Sequence, residues 1–164
     1  MAGEQHGPSL TTERVSAFVR AGGEAPTTRT VSDWAKKGFV RPSRATPQGR
    51  RRPVLWTVED AVCARALYAL RCAACDIHVT SAWVEATVRP LLSYAQPPYL
   101  SVSVLGRRPT LQADSGSLPE PDSLVNLPLG EWVREAESLL EPQMERYEQG
   151  SLLDLLVSPE PHGT

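Results

Sequence analysis

Through the first 93 positions apolar side chains recur at the spacing of amphipathic helices, and after Pro98 they alternate as in half-buried strands. From Thr11 or Thr12, with Glu13 in the first turn, Val15, Phe18 and Val19 share one face and Gly22-Gly23 supplies a stop. That predicts a short helix. A second helix is predicted from Thr27 or Thr28 as N-cap, with Val31, Trp34 and Ala35 inward, Lys36 and Lys37 in the last turn and Gly38 beyond it. Thr57-Val-Glu-Asp60 fits a capping box and opens a third helix, with Val62, Ala66, Ala69 or Leu70 and Ala73 in one stripe. A fourth is expected from Thr80 or Ser81 to about Leu92, carrying Trp83, Val84, Val88 and Leu91, before Pro97-Pro98.

The strand pattern holds over residues 99–105, with a hairpin partner at 110–114 and a third strand at 123–129. A last helix then places Trp132, Val133, Ala136, Leu139, Leu140 and Met144 on one side, with a kink near Pro142. The apolar stretch 151–157 fits either a helical turn or a strand. Together these elements predict an α+β fold. Residues 1–10 are expected to be a disordered lead, 11–95 a helical domain, and 96–164 a small mixed domain of short antiparallel strands and a C-terminal helix.

Composition changes this picture little, but charge distribution changes it a good deal. At 164 residues, 41% hydrophobic and 22% charged, the chain has ordinary globular usage, whereas its 15 prolines imply many short elements. No apolar run is long enough for a bilayer, and the polar start lacks the regions of a signal peptide, so a cytoplasmic protein without membrane contact is expected. The formal net charge is only -2, yet residues 29–52 hold eight basic side chains against Asp33, a local +7. Residues 110–164 hold eleven acids against Arg134 and Arg146, a local -9. A basic block is the footprint of a phosphate-binding surface, and an acidic half must face away from it.

The centre of the basic block is RPSRATPQGRRRPVLW, residues 41–56. Pro42, Pro47, Gly49 and Pro53 exclude a helix there, so a hairpin anchored by Phe39 and Val40 at one end and Val54, Leu55 and Trp56 at the other is expected. Its tip carries Arg50, Arg51 and Arg52.

The order of helix, turn, helix, Arg-rich hairpin and two further helices, with TVSDWAKKGFV followed by TPQGRRRPVLWTVEDAVCARALYALRCAACDI, resembles the N-terminal DNA-binding domain of the MerR family and its excisionase-like relatives. The resemblance covers roughly residues 11–93. It implies a winged helix-turn-helix whose second helix enters the major groove while the wing lies along phosphates. Thr28, Arg29 and Thr30 match the start of the recognition helix, Trp34 and Lys37 positions facing the backbone, and Arg50, Arg51 and Arg52 the wing. With Thr27, Lys36, Arg41 and Arg44 they form the expected DNA-binding set. Where the family often carries Arg-Tyr-Tyr this chain has Ser32-Asp33-Trp34, and strand-like segments replace the long dimerisation helix.

Cys63, Cys72, Cys75 and His78 are the candidates for a metal or redox site, against the plainer reading as core or surface residues; no cofactor is expected. His6, His78 and His162 are scattered, and neither a phosphate loop nor a nucleophile motif occurs, so no enzyme is expected. The expected function is a sequence-specific regulator of transcription that binds double-stranded DNA as a homodimer through its C-terminal half, associated with the nucleoid. A protein partner or ligand for that half is allowed. The alternatives are a recombination directionality factor or architectural DNA-binding protein, and, from another class, an interaction adaptor acting through the acidic half.

Overall fold

The computed structural model describes residues 8–21, 23–43, 54–112 and 121–140. Its elements are α1 (Thr12–Phe18), α2 (Thr28–Lys37), α3 (Val58–Cys72), α4 (Ile77–Trp83), which runs through a π-helical segment (Val84–Val88) into α5 (Arg89–Leu91), then β1 (Tyr99–Leu105), β2 (Arg108–Leu111), β3 (Ser123–Pro128) and α6 (Leu129–Ser138). The fold is α+β: helices followed by an antiparallel sheet of order β2-β1-β3 and a closing helix. Among the described residues no helix is long and apolar enough to cross a membrane.

Local chemistry accounts for most boundaries. Thr11, Thr27 and Thr57 each accept a bond from the backbone three residues on, which satisfies an otherwise orphaned amide at the start of α1, α2 and α3. At Thr57 the capping box is complete, because the Asp60 side chain also accepts from the Thr57 amide at 3.0 Å. α2 and α3 end alike. Gly38 is left-handed at φ 73°, with Phe39 N–H donating to Trp34 C=O and Gly38 N–H to Ala35 C=O; Ala74 repeats this at φ 64°, with Cys75 N–H donating to Leu70 C=O and Ala74 N–H to Arg71 C=O. Both are Schellman turns.

The fourth helix starts at Ile77, three residues before the expected Thr80. Asp76 outcompetes the later threonine as N-cap because its carboxylate accepts from both His78 N–H and Val79 N–H, while the Thr80 hydroxyl donates back to Asp76 C=O at 2.6 Å. Pro90, which has no amide to donate, is preceded by the widened π turn, where Arg89 N–H reaches Val84 C=O.

In the sheet, β2 begins at Arg108, two residues earlier than expected, because Gly106 and Arg107 both take positive φ and close a two-residue hairpin with Leu105 opposite Arg108. Leu100, Val102 and Val104 of β1 face inward beside Leu127 and Val125 of β3. One buried cluster joins Leu10, Val15, Phe18, Val31, Trp34 and Trp56 from the N-terminal part to Val102, Leu127, Leu129, Trp132 and Ala136 from the C-terminal part. Leu10, which falls in the expected disordered lead, is fully buried and its backbone exchanges two bonds with Trp56. The ordered chain therefore begins before Thr11.

Candidate nucleic-acid interface

α2 presents the candidate surface. Its hydroxyl cap is self-contained: Thr27 Oγ1 accepts from Thr30 N–H at 3.2 Å and lies 2.9 Å from Thr30 Oγ1. Thr28 and Arg29 are exposed in the first turn, where the helix dipole favours an anion. Seven residues along, near two full turns, Lys36 returns to the Arg29 face with a side chain 70% exposed, and Lys37 is exposed beside it. Asp33 shares that stripe and lies 3.9 Å from Lys36 Nζ, a contact between exposed side chains that contributes little.

Trp34 does not join this surface. It is 7% exposed and packs against Tyr68 with ring centroids 6.1 Å apart, so it anchors α2 on α3 from the inside. α1 and α2 pack together, yet the connection from Val19 to Thr27 is longer than the turn of a tight helix-turn-helix. It is folded back by the Ala21–Glu24 bridge and by Ser16 Oγ donating to buried Pro26 C=O at 2.7 Å. Arg41 is exposed just beyond α2. Arg44, Arg50, Arg51 and Arg52 lie outside the described residues, so the structure gives no account of the expected hairpin tip.

A second polar centre lies where the chain enters and leaves residues 44–53. Asp60, with no exposed surface, accepts from Ser43 N–H at 2.9 Å and Thr57 N–H at 3.0 Å on one oxygen, and from Ser43 Oγ at 2.7 Å and Arg89 Nη1 at 2.9 Å on the other. Burial alone would raise the Asp60 carboxyl; the bonds from Thr57, Ser43 and Arg89 outweigh it and hold the group below its ordinary value. The Arg89 guanidinium also grips both oxygens of Glu85, at 2.5 and 2.9 Å, and donates to Arg41 C=O at 3.2 Å. Of these residues the sequence pointed to Thr57 and Asp60 as a helix cap and to Arg41 as a basic contact, but not to Ser43, Glu85 or Arg89, nor to Asp60 as the centre of a network. That second role of Asp60 depends on partners 17 and 29 residues away and has no local signature.

The cysteines are not gathered. Cys63 is buried within α3, where burial pushes its thiol up to about 12; Cys72 is exposed at the helix end; Cys75 is buried below the Schellman turn, which also raises its pKa. The chain reverses between Cys72 and Cys75, so their spacing does not bring them together. Among the described residues no group of three His, Cys, Asp or Glu side chains is placed to hold a metal ion. A cleft of about 560 Å³ runs between α6 and the segment leading into β1, bordered by Glu131, Arg134 and Glu137. Comparison with protein-family models and with curated proteins gives no match.

Proposed function

We propose that this chain is a sequence-specific double-stranded-DNA-binding regulator of transcription, of MerR-like winged-helix type, cytoplasmic and associated with the nucleoid. The observation that carries the reading is α2 itself. One short helix holds its apolar side under α1 and α3 by Val31 and Trp34, and turns Thr28, Arg29, Lys36 and Lys37 outward in a single basic face. Ten residues make a helix about 15 Å long, which fits the major groove. In this reading Arg29 and its threonine neighbours address base edges, while Lys36, Lys37, Arg41 and the Arg44 to Arg52 segment meet phosphates. Asp33 in the same stripe disfavours misplaced phosphate contacts and adds to register.

The second copy is assigned to the outer side of the sheet. Tyr99 and Leu105 on β1 and Leu124 on β3, opposite Ser103, stand exposed on that one face, away from the core. The deciding experiment is selection of bound fragments from a random duplex library by the purified protein at two salt concentrations. An inverted-repeat motif that survives the higher salt is expected. Direct repeats would favour an architectural or recombination-directionality protein, and no enrichment at either salt would remove the DNA reading and leave the acidic half as an adaptor surface.

A further inference from the structure

The Asp60 centre is saturated. Each of its carboxylate oxygens accepts two bonds, which fills the lone pairs of an ionised carboxylate. Arg89 is equally complete: Nε and Nη2 serve Glu85, Nη1 serves Asp60 and Ser43, and Nη2 also serves Arg41 C=O, so all five N–H donors are engaged. Nothing in this group is left to bind a ligand. What it joins is specific: Arg41 and Ser43 precede residues 44–53, Thr57 and Asp60 follow them, and Arg89 comes from the far end of the last long helical run. Ser81 Oγ donating to Phe39 C=O at 2.7 Å adds a further tie on the entry side, and Leu10 pairing with Trp56 one on the exit side.

We propose that Asp60, Arg89, Glu85 and Ser43 act as positioning residues for the Arg-rich segment, holding together in the free protein the points where the chain enters and leaves residues 44–53. The proposal rests on the DNA-binding reading above. Pinning both ends of a segment removes closure entropy in the free protein that would otherwise be lost on binding, so affinity rises without any added contact. The π turn belongs to the same device. It lets the helix continue into Arg89-Pro90 with Glu85 one turn back on the same side, where the guanidinium can grip it edge to edge.

Ser43 is the residue to test, because it is exposed and its hydroxyl can be removed without opening the core. Duplex affinity is measured for the wild type, Ser43→Ala and Ser43→Thr, each also combined with Arg50→Ala/Arg51→Ala/Arg52→Ala, with thermal melting as the check on folding. Loss of a bond to a charged group predicts about tenfold weaker binding for Ser43→Ala. The loss should be equal for all duplex sequences, with the salt slope retained because no charge is removed, and Ser43→Thr should restore it. In the triple-alanine background Ser43→Ala should cost nothing more. A full cost that persists in that background, or no cost in the wild-type background, overturns the positioning role while leaving DNA binding intact. A wild-type protein that binds no duplex at low salt defeats the DNA reading first, and the positioning role with it.

Discussion

At the scale of single residues, physical environment separates side chains that look alike in the sequence. The three cysteines differ in access and in ionisation: Cys63 and Cys75 are buried with raised pKa values, while Cys72 is exposed. Alkylation of the native protein at neutral pH should therefore modify Cys72 first, with Cys63 and Cys75 reacting only in denaturant, as peptide mass spectrometry would show. Equal modification of all three would contradict the buried placements. Ala74 makes the opposite kind of case, a residue unsuited to its conformation. It stands exposed at φ 64° where Gly38 stands in α2, so Ala74→Gly should raise stability by about 1 kcal/mol, read in denaturant melts. The comparison shows what a sequence discloses. Gly38 announces its turn; Ala74 does not, since alanine favours continuing the helix, and the reversal is fixed instead by Cys75 N–H donating to Leu70 C=O, Asp76 N–H donating to Arg107 C=O and Asp76 capping α4. Asp60 adds a pH signature. Its folded pKa is lowered, so its contribution is present above the ordinary carboxylate value of 3.8 and is lost as pH falls through the folded value. Melting temperatures of the wild type should drop more steeply below about pH 4 than those of Asp60→Asn, which is less stable at neutral pH but lacks this titration. Parallel pH profiles would mean that Asp60 is not held as an ion.

At the scale of elements, the attachment of α6 turns on Arg65 of α3. Its guanidinium lies between the faces of Phe18 from α1 and Trp132 from α6, 4.7 Å from each centroid, and its Nη1 reaches Glu135 at 2.6 Å. Arg14 ties the same helix from α1 by donating to Leu139 C=O at 2.6 Å. Arg65 Nε is buried without a hydrogen-bond partner among the described residues, so the ring faces compensate its charge more than directional bonds do. Arg65→Lys keeps the charge but not the flat surface and should cost about 1–2 kcal/mol, whereas Glu135→Gln, at a half-exposed carboxylate, should cost about 0–1 kcal/mol. Urea denaturation of the two variants decides it, and a larger loss in Glu135→Gln would reverse the assignment. Such an attachment could not be read from the chain. Caps at Thr11, Thr27 and Thr57 and the alternation of β1 were legible because their causes lie within a few residues. Arg65 and Trp132 are 67 positions apart, and their meeting depends on how three helices pack. The start of α4 and the turn before β2 were misread for a nearer reason: Thr80 is a fair cap in isolation but Asp76 is a better one, and Arg107 is an uncommon occupant of a left-handed turn position.

At the scale of the whole molecule, the separation of charge gives the proposed function its most direct test. The basic block is confined to residues 29–52, and Asp33 is the only acid within it; the acids concentrate after residue 110, where Glu131, Glu135 and Glu137 stand on α6. A DNA surface made by α2 and the Arg-rich segment should release counterions according to the number of phosphates it meets, so binding should weaken linearly in log salt. Changing Arg50, Arg51 and Arg52 together to alanine removes three charges. If each meets a phosphate, the slope of log affinity against log salt should fall by about 0.9 per contact, or roughly 2.7 in all, and the loss should be the same for every duplex. Arg29→Ala should behave differently if, as proposed, Arg29 in the exposed first turn of α2 reads base edges. Its loss should be about 1–3 kcal/mol on the preferred sequence and smaller on others, so that sequence preference relaxes. The two variants thus separate holding from reading, and each can fail alone. An unchanged slope in the triple variant would place the arginines off the phosphates. A uniform loss in Arg29→Ala would reduce α2 from a reading helix to one more charged contact, and specificity would then have to come from the deformation of the duplex.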